Sequence, residues 1–125
     1  MYSQGRSSAM RTAVSAILIV FLLSVQAQAA RYDVGGSSGW GFSTGNWASG
    51  KNFKAGDILI FNYDPSLHNV VEVDANGYKG CSSSAKAKTY SSGKDRIKLV
   101  KGKHYFICSF AGHCGGGVKI EVNAL

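Results

Sequence analysis

Seven residues near the C-terminal end, Cys108-Ser109-Phe110-Ala111-Gly112-His113-Cys114, constrain this chain more than any other segment. They set a thiol and an imidazole five residues apart, at the end of the apolar, strand-like run Tyr105-Phe106-Ile107-Cys108. A second imidazole can come from elsewhere in the fold. His68 is the candidate, forty residues upstream, between the loop Tyr63-Asp64-Pro65-Ser66-Leu67 and a run beginning at Asn69. A ligand at a loop-to-strand junction can be held from both sides. One thiolate and two imidazoles form a set of metal donors.

The first thirty residues set the compartment. Arg6 and Arg11 give a positive start, Ala13 to Val25 is an apolar run broken only by serines, and Ala27-Gln28-Ala29 has the small-x-small form of a cleavage site. This pattern predicts a secretory signal over residues 1–29. The run is too short for a membrane anchor, since a helix needs about 20 apolar residues to cross the hydrocarbon core. Cleavage after Ala29 leaves a mature domain of 96 residues, 30–125, for which we expect a soluble, secreted monomer without a membrane anchor. A domain of that size buries a modest core, so a disulfide would help it.

The mature part carries twelve of the fourteen Lys and Arg residues and all seven acids, a formal net charge of +5. Ten of those cations are lysines spread from Lys51 to Lys119, which reads first as a solvated surface. It also suits an extracellular polyanion, such as an acidic cell-wall polysaccharide, or an anionic redox partner. Nucleic acid is excluded as a partner, because the chain is exported and lacks a helical basic stripe or clustered arginines.

The apolar pattern favours strands. Short β-prone runs occur at Tyr32–Val34, Asp57–Tyr63, Asn69–Val73, Arg96–Val100, Tyr105–Cys108 and Val118–Val122, separated by Gly-, Ser- and Asn-rich stretches. Such spacing predicts an all-β, antiparallel sandwich or barrel of one domain. Tyr78–Thr89 has less β character and suits a short helix or a loop. Lys101-Gly102-Lys103 reads as a hairpin turn. Gly115-Gly116-Gly117 permits a tight backbone path beside the metal donors, or a flexible loop.

Three cysteines in a secreted chain leave one unpaired after a disulfide forms, and three pairings are open. If Cys81 pairs with Cys114, Cys108 remains as the free thiol. Metal binding would hold it as a shielded thiolate; otherwise it is a buried, inert cysteine. His113 shares a short loop with Cys108, whereas His104, at a strand start, reads as a surface residue. A structural zinc site normally closes with four protein ligands. Copper accepts two imidazoles and one thiolate with a weak axial ligand, as in blue-copper electron-transfer sites. A cysteine-protease pairing of thiol and histidine finds no supporting signature around Cys108.

The whole of the mature part resembles the plantacyanins, the basic blue proteins of the plant phytocyanin family of cupredoxins. The likeness is carried by Val34-Gly35-Gly36, Gly39-Trp40, Phe53-Lys54-Ala55-Gly56-Asp57, Phe61-Asn62-Tyr63, His68-Asn69-Val70-Val71, Tyr105-Phe106-Ile107-Cys108 and Gly112-His113-Cys114. It implies a cupredoxin-like Greek-key β-sandwich or barrel with one type 1 copper ion. It also implies His68, Cys108 and His113 as the copper ligands, and a Cys81–Cys114 disulfide.

One position departs from the family pattern: Val118 stands where an axial methionine is usual. The resemblance therefore implies a three-coordinate site of raised potential. The function it implies is one-electron transfer in the plant extracellular space or cell wall, not enzymatic catalysis. The second reading is a cell-wall-binding or signalling module in which copper is structural or absent.

Overall fold

The computed structural model describes residues 29–125. The expected export signal falls almost wholly on residues 1–28, outside the described part. Among the described residues, no helix is long and apolar enough to cross a membrane.

Short apolar or alternating runs form seven strands in two sheets. These are β1 (Arg31–Asp33), β2 (Ile58–Asn62), β3 (Val70–Val73), β4 (Lys88–Tyr90), β5 (Lys94–Lys98), β6 (Gly102–Ile107) and β7 (Lys119–Ala124). One sheet has the order β1-β2-β5 and the other β4-β3-β6-β7. The chain changes sheet between β2 and β3, between β4 and β5, and between β5 and β6, so the two sheets are stitched together by crossing connections. The expected sandwich is present, with one correction: β1 pairs with β2 in parallel, Tyr32 opposite Leu59.

The inward faces meet in one aromatic and aliphatic core. Phe61 is fully buried, edge-on to Trp40 at 5.1 Å and 5.2 Å from Phe106. Each such side chain contributes about 1.5–3 kcal/mol by leaving water. Trp40 keeps its one polar atom satisfied, donating from Nε1 to the Asn69 carbonyl at 2.9 Å. The core therefore also holds the chain next to His68.

A second cluster lies on the far side of the four-stranded sheet. Val71, Ile107 and Cys114 pack there against Tyr78 and Ala87. The short helix α1 (Ala75–Gly80) runs beside it, started by the Asp74 side chain accepting from the Gly77 N–H. This element begins before the expected 78–89 segment. The disulfide joins Cys81, just past α1, to Cys114, and closing that loop stabilises the fold by about 4 kcal/mol in the chain-entropy account.

Two expectations are corrected here. Lys101-Gly102-Lys103 is no hairpin turn: β5 and β6 lie in different sheets, and β6 starts at Gly102. With that earlier start, His104 falls into the inward phase alongside Phe106, so it is buried rather than a surface residue. Its Nδ1 lies 2.9 Å from Glu72 Oε1 and its Nε2 lies 2.7 Å from the Val100 carbonyl.

Tyr63, the residue after β2, donates its hydroxyl to Asp95 at 2.5 Å. Burial, aided by this bond to a carboxylate, pushes its pKa up to about 12 from the ordinary 10.0. The folded state thus holds the proton more tightly than the unfolded chain does. Its contribution to stability is complete below pH 10 and is lost as pH rises through about 12. Urea unfolding across that window should show a fall in stability that is smaller in Tyr63→Phe; an identical fall in the variant would contradict this assignment.

Candidate metal centre

Three separate elements deliver the donors. A compact turn precedes His68: Asp64 Oδ1 accepts from the Ser66 N–H at 2.9 Å and from its hydroxyl at 2.7 Å, and the Asp64 carbonyl accepts from the His68 N–H at 3.1 Å. This Asx turn needs a short side chain with an oxygen acceptor at its head, which Asp64 supplies. The Ser66 bonds hold the Asp64 carboxyl below the usual carboxylate range. Cys108 leaves the end of β6 fully buried, its N–H bonded to the Val118 carbonyl at 3.0 Å. His113 sits in the loop that returns to Val118, whose N–H bonds to the His113 carbonyl at 3.0 Å.

The donor atoms converge. Cys108 Sγ lies 3.6 Å from His113 Nδ1, and the two Nδ1 atoms of His113 and His68 are 3.1 Å apart. One ligand atom from each of the three residues falls within 4.8 Å of the others. His68 and Cys108 are buried and His113 is half-buried. Burial, reinforced by the neighbouring His113, lowers the His68 pKa from 6.5, with Asp64 opposing. That keeps His68 in the neutral form that can ligate.

Residues next to the donors lock them in place. The Asn69 side chain donates from Nδ2 to Ser109 Oγ and accepts from the Ser109 N–H, both at 2.8 Å. Asn69 follows His68 and Ser109 follows Cys108, so this reciprocal clasp ties the two donor segments together. Asn69→Ala should therefore cost about 2 kcal/mol in denaturant unfolding, while Ser109→Ala, which spares the main-chain bond, should cost about 1 kcal/mol. Equal losses in the two variants would argue against the clasp. The Cys81–Cys114 disulfide anchors the residue after His113.

An aromatic side chain absent from the sequence-level reading completes the site. Phe42 packs its ring 5.0 Å from His113 and 5.6 Å from His68, and stays 57% exposed. The glycine run has its reason here. A Cβ on Gly116 would come within 2.9 Å of the Phe42 ring, and Gly117 adopts a φ of 107°. Nothing in the residues around Phe42 marks it in advance. Asn69 and Ser109 were legible only as polar neighbours of the two ligand candidates. His104 lies outside the donor cluster, and Val118, fully buried in the same core cluster as Cys108, offers only hydrocarbon.

The donor chemistry fits copper. Two imidazoles and one thiol converge, and among the described residues no fourth His, Cys, Asp or Glu joins the cluster; structural zinc takes four protein ligands, whereas a His₂Cys set suits copper. A two-sheet β-sandwich with such a set at one end defines the cupredoxin class. The profile of the plastocyanin-like domain family matches residues 40–118. The basic blue protein of Cucumis sativus is 60% identical over 94 residues, spanning 75% of this chain and 98% of that protein. The structure of cucumber basic protein, a blue copper protein, superposes with a TM-score of 0.76 at 60% identity, over 77% of this chain and all of that one. Spinach plantacyanin gives 0.66 at 59% identity, over 70% and 94%. The chain belongs to the plantacyanin, or basic blue protein, group of the phytocyanin family.

Proposed function

We propose that this chain is a secreted one-electron carrier in which His68, Cys108 and His113 hold a single type 1 copper ion. The convergence of Cys108 Sγ with the two Nδ1 atoms carries the reading. When bound, copper supplies the one-electron Cu(II)/Cu(I) couple. Cys108, completely buried, would hold the ion through its sulfur, and His68 and His113 would hold it through ring nitrogens. The Asn69–Ser109 clasp, the Trp40 bond and the disulfide resist movement of the donors. Donors that stay in place in both oxidation states keep the reorganisation accompanying electron transfer small.

The Val118 side chain is hydrocarbon only, so a bound copper ion would be held by His68, Cys108 and His113 with no sulfur from position 118. The lack of that electron density would disfavour Cu(II) and raise the potential. The half-buried ring of His113, against the exposed Phe42, is the route for the electron to reach a partner. Export is supported by the N-terminal signal pattern and by a disulfide, which persists in oxidising compartments. We read the chain as a carrier and not as an enzyme.

An absorption spectrum of the mature chain, taken after adding Cu(II) and a mild oxidant, tests this. An intense blue thiolate band bleached by ascorbate is expected. A colourless protein whose Cys108 still titrates as a free thiol would overturn the proposal.

A further inference from the structure

The two sheets of the sandwich treat their cations differently. On the four-stranded sheet the lysines have partners. Lys103 Nζ lies 3.9 Å from Glu121 Oε1, Lys119 sits 4.3 Å over the Tyr78 ring, and Lys88 sits 5.3 Å over the Tyr90 ring. On the three-stranded sheet, β5 alternates strictly. Asp95 and Ile97 turn inward, and Asp95 is taken up by Tyr63 and Ser92. Lys94, Arg96 and Lys98 turn outward, exposed, and none forms an ion pair with a carboxylate among the described residues.

The rows beside them do not neutralise this charge. Opposite Lys98, Arg96 and Lys94 on β2 stand half-buried Ile58, Ile60 and Asn62. Beyond them β1 adds Arg31 and one acid, Asp33, which accepts from Asn62 Nδ2 at 3.4 Å. β5 is also an edge strand. Cations on an edge guard against strand pairing, yet that role does not require a sheet face whose neighbouring rows carry only one acid.

We propose that this outer face is a docking strip for a linear polymer of carboxylated sugars, a polyuronate. Alternate residues of a strand stand about 6.7 Å apart, so β5 displays three cations in one line. A polymer with a carboxylate on every sugar can engage several at once, and the half-buried isoleucines lie beside the line to meet the C–H faces of the rings. A folded protein partner needs about 800 Å² of matched surface per side. A strip three cations long on one strand suits a single extended chain better. The extracellular setting of this inference rests on the proposed secretion, but the binding itself does not depend on copper.

Electrophoresis of the mature protein through gels containing polygalacturonate at low ionic strength tests the strip. The wild type should be retarded, and K94Q/R96Q/K98Q should bind about tenfold more weakly, the loss of three surface charge pairs. K54Q/K79Q/K86Q, with the same change in net charge at exposed lysines elsewhere, should stay close to wild type. Equal weakening in both variants would reduce the effect to bulk charge and overturn the proposal. So would equal retardation by the fully methyl-esterified polymer, or no retardation at all. Retention on an immobilised acidic protein but not by polygalacturonate would assign the strip to a protein partner and overturn it as well. The copper spectrum and the unfolding midpoint of each variant report separately on site and fold, so a failed copper assignment leaves this result readable.

Discussion

Cys108→Ser should abolish the intense visible absorption of the copper-loaded protein and weaken copper binding by more than about a hundredfold, the most that loss of an outer-shell partner alone typically costs. The absorption is a thiolate-to-copper transition, and a serine hydroxyl stays protonated at neutral pH and supplies neither the charge nor the soft sulfur. Serine is close to cysteine in size, so the fold should survive. Cys108 is fully buried, however, and an unsatisfied hydroxyl there costs about 1–3 kcal/mol. Near-ultraviolet circular dichroism of the metal-free variant separates unfolding from ligand loss. A folded variant that retained the band would remove Cys108 from the site.

Val118→Met should lower the reduction potential by on the order of 60 mV or more, a tenfold change in preference between oxidation states for one electron. The site of Val118 is fully buried, and its main chain bonds to both Cys108 and His113. A methionine there would bring a thioether into the cluster that holds the thiolate. The longer side chain also overpacks the core, at a cost of about 1–3 kcal/mol. Val118→Leu supplies added bulk without sulfur, so it isolates the donor effect. A fall in potential in the methionine variant alone supports a three-donor native site. An unchanged or higher potential with methionine, or an equal fall with leucine, would sink it.

Both experiments depend on residues whose roles differ in how far they can be read from sequence. Cys108 and His113 are five apart on one strand end and its loop, so local spacing alone suggests a pair of donors. Ile58–Asn62 announces itself as a short apolar, β-rich run, and Lys119–Ala124 through alternation that a sheet can bury on one side. Lys88–Tyr90 does not. Three residues are too few to show a period, and their strand state comes from pairing with β3. Helix α1 is equally short and rests on the Asp74 cap more than on any apolar stripe. The burial of His104 is hidden from the sequence because it depends on where β6 begins, and that is set by its register with β7, His104 opposite Val122.

The sequence by itself determined the donor types, the resemblance that names the family, the valine at position 118 and the all-β class. These follow from residue identity and short-range period. Tertiary structure alone decided that His68, forty positions away, brings its Nδ1 to 3.1 Å from that of His113. It decided that Asn69 and Ser109 clasp the two segments, and that Phe42 rests on Gly116 beside both imidazoles. Among the described residues it also left three cations of β5 without an acidic partner, while on the other sheet Lys103 reaches Glu121 and Lys88 and Lys119 lie over tyrosine rings. Such facts depend on which strands become neighbours and in what register. That choice is made by packing the whole core at once, and no local window of the chain contains it.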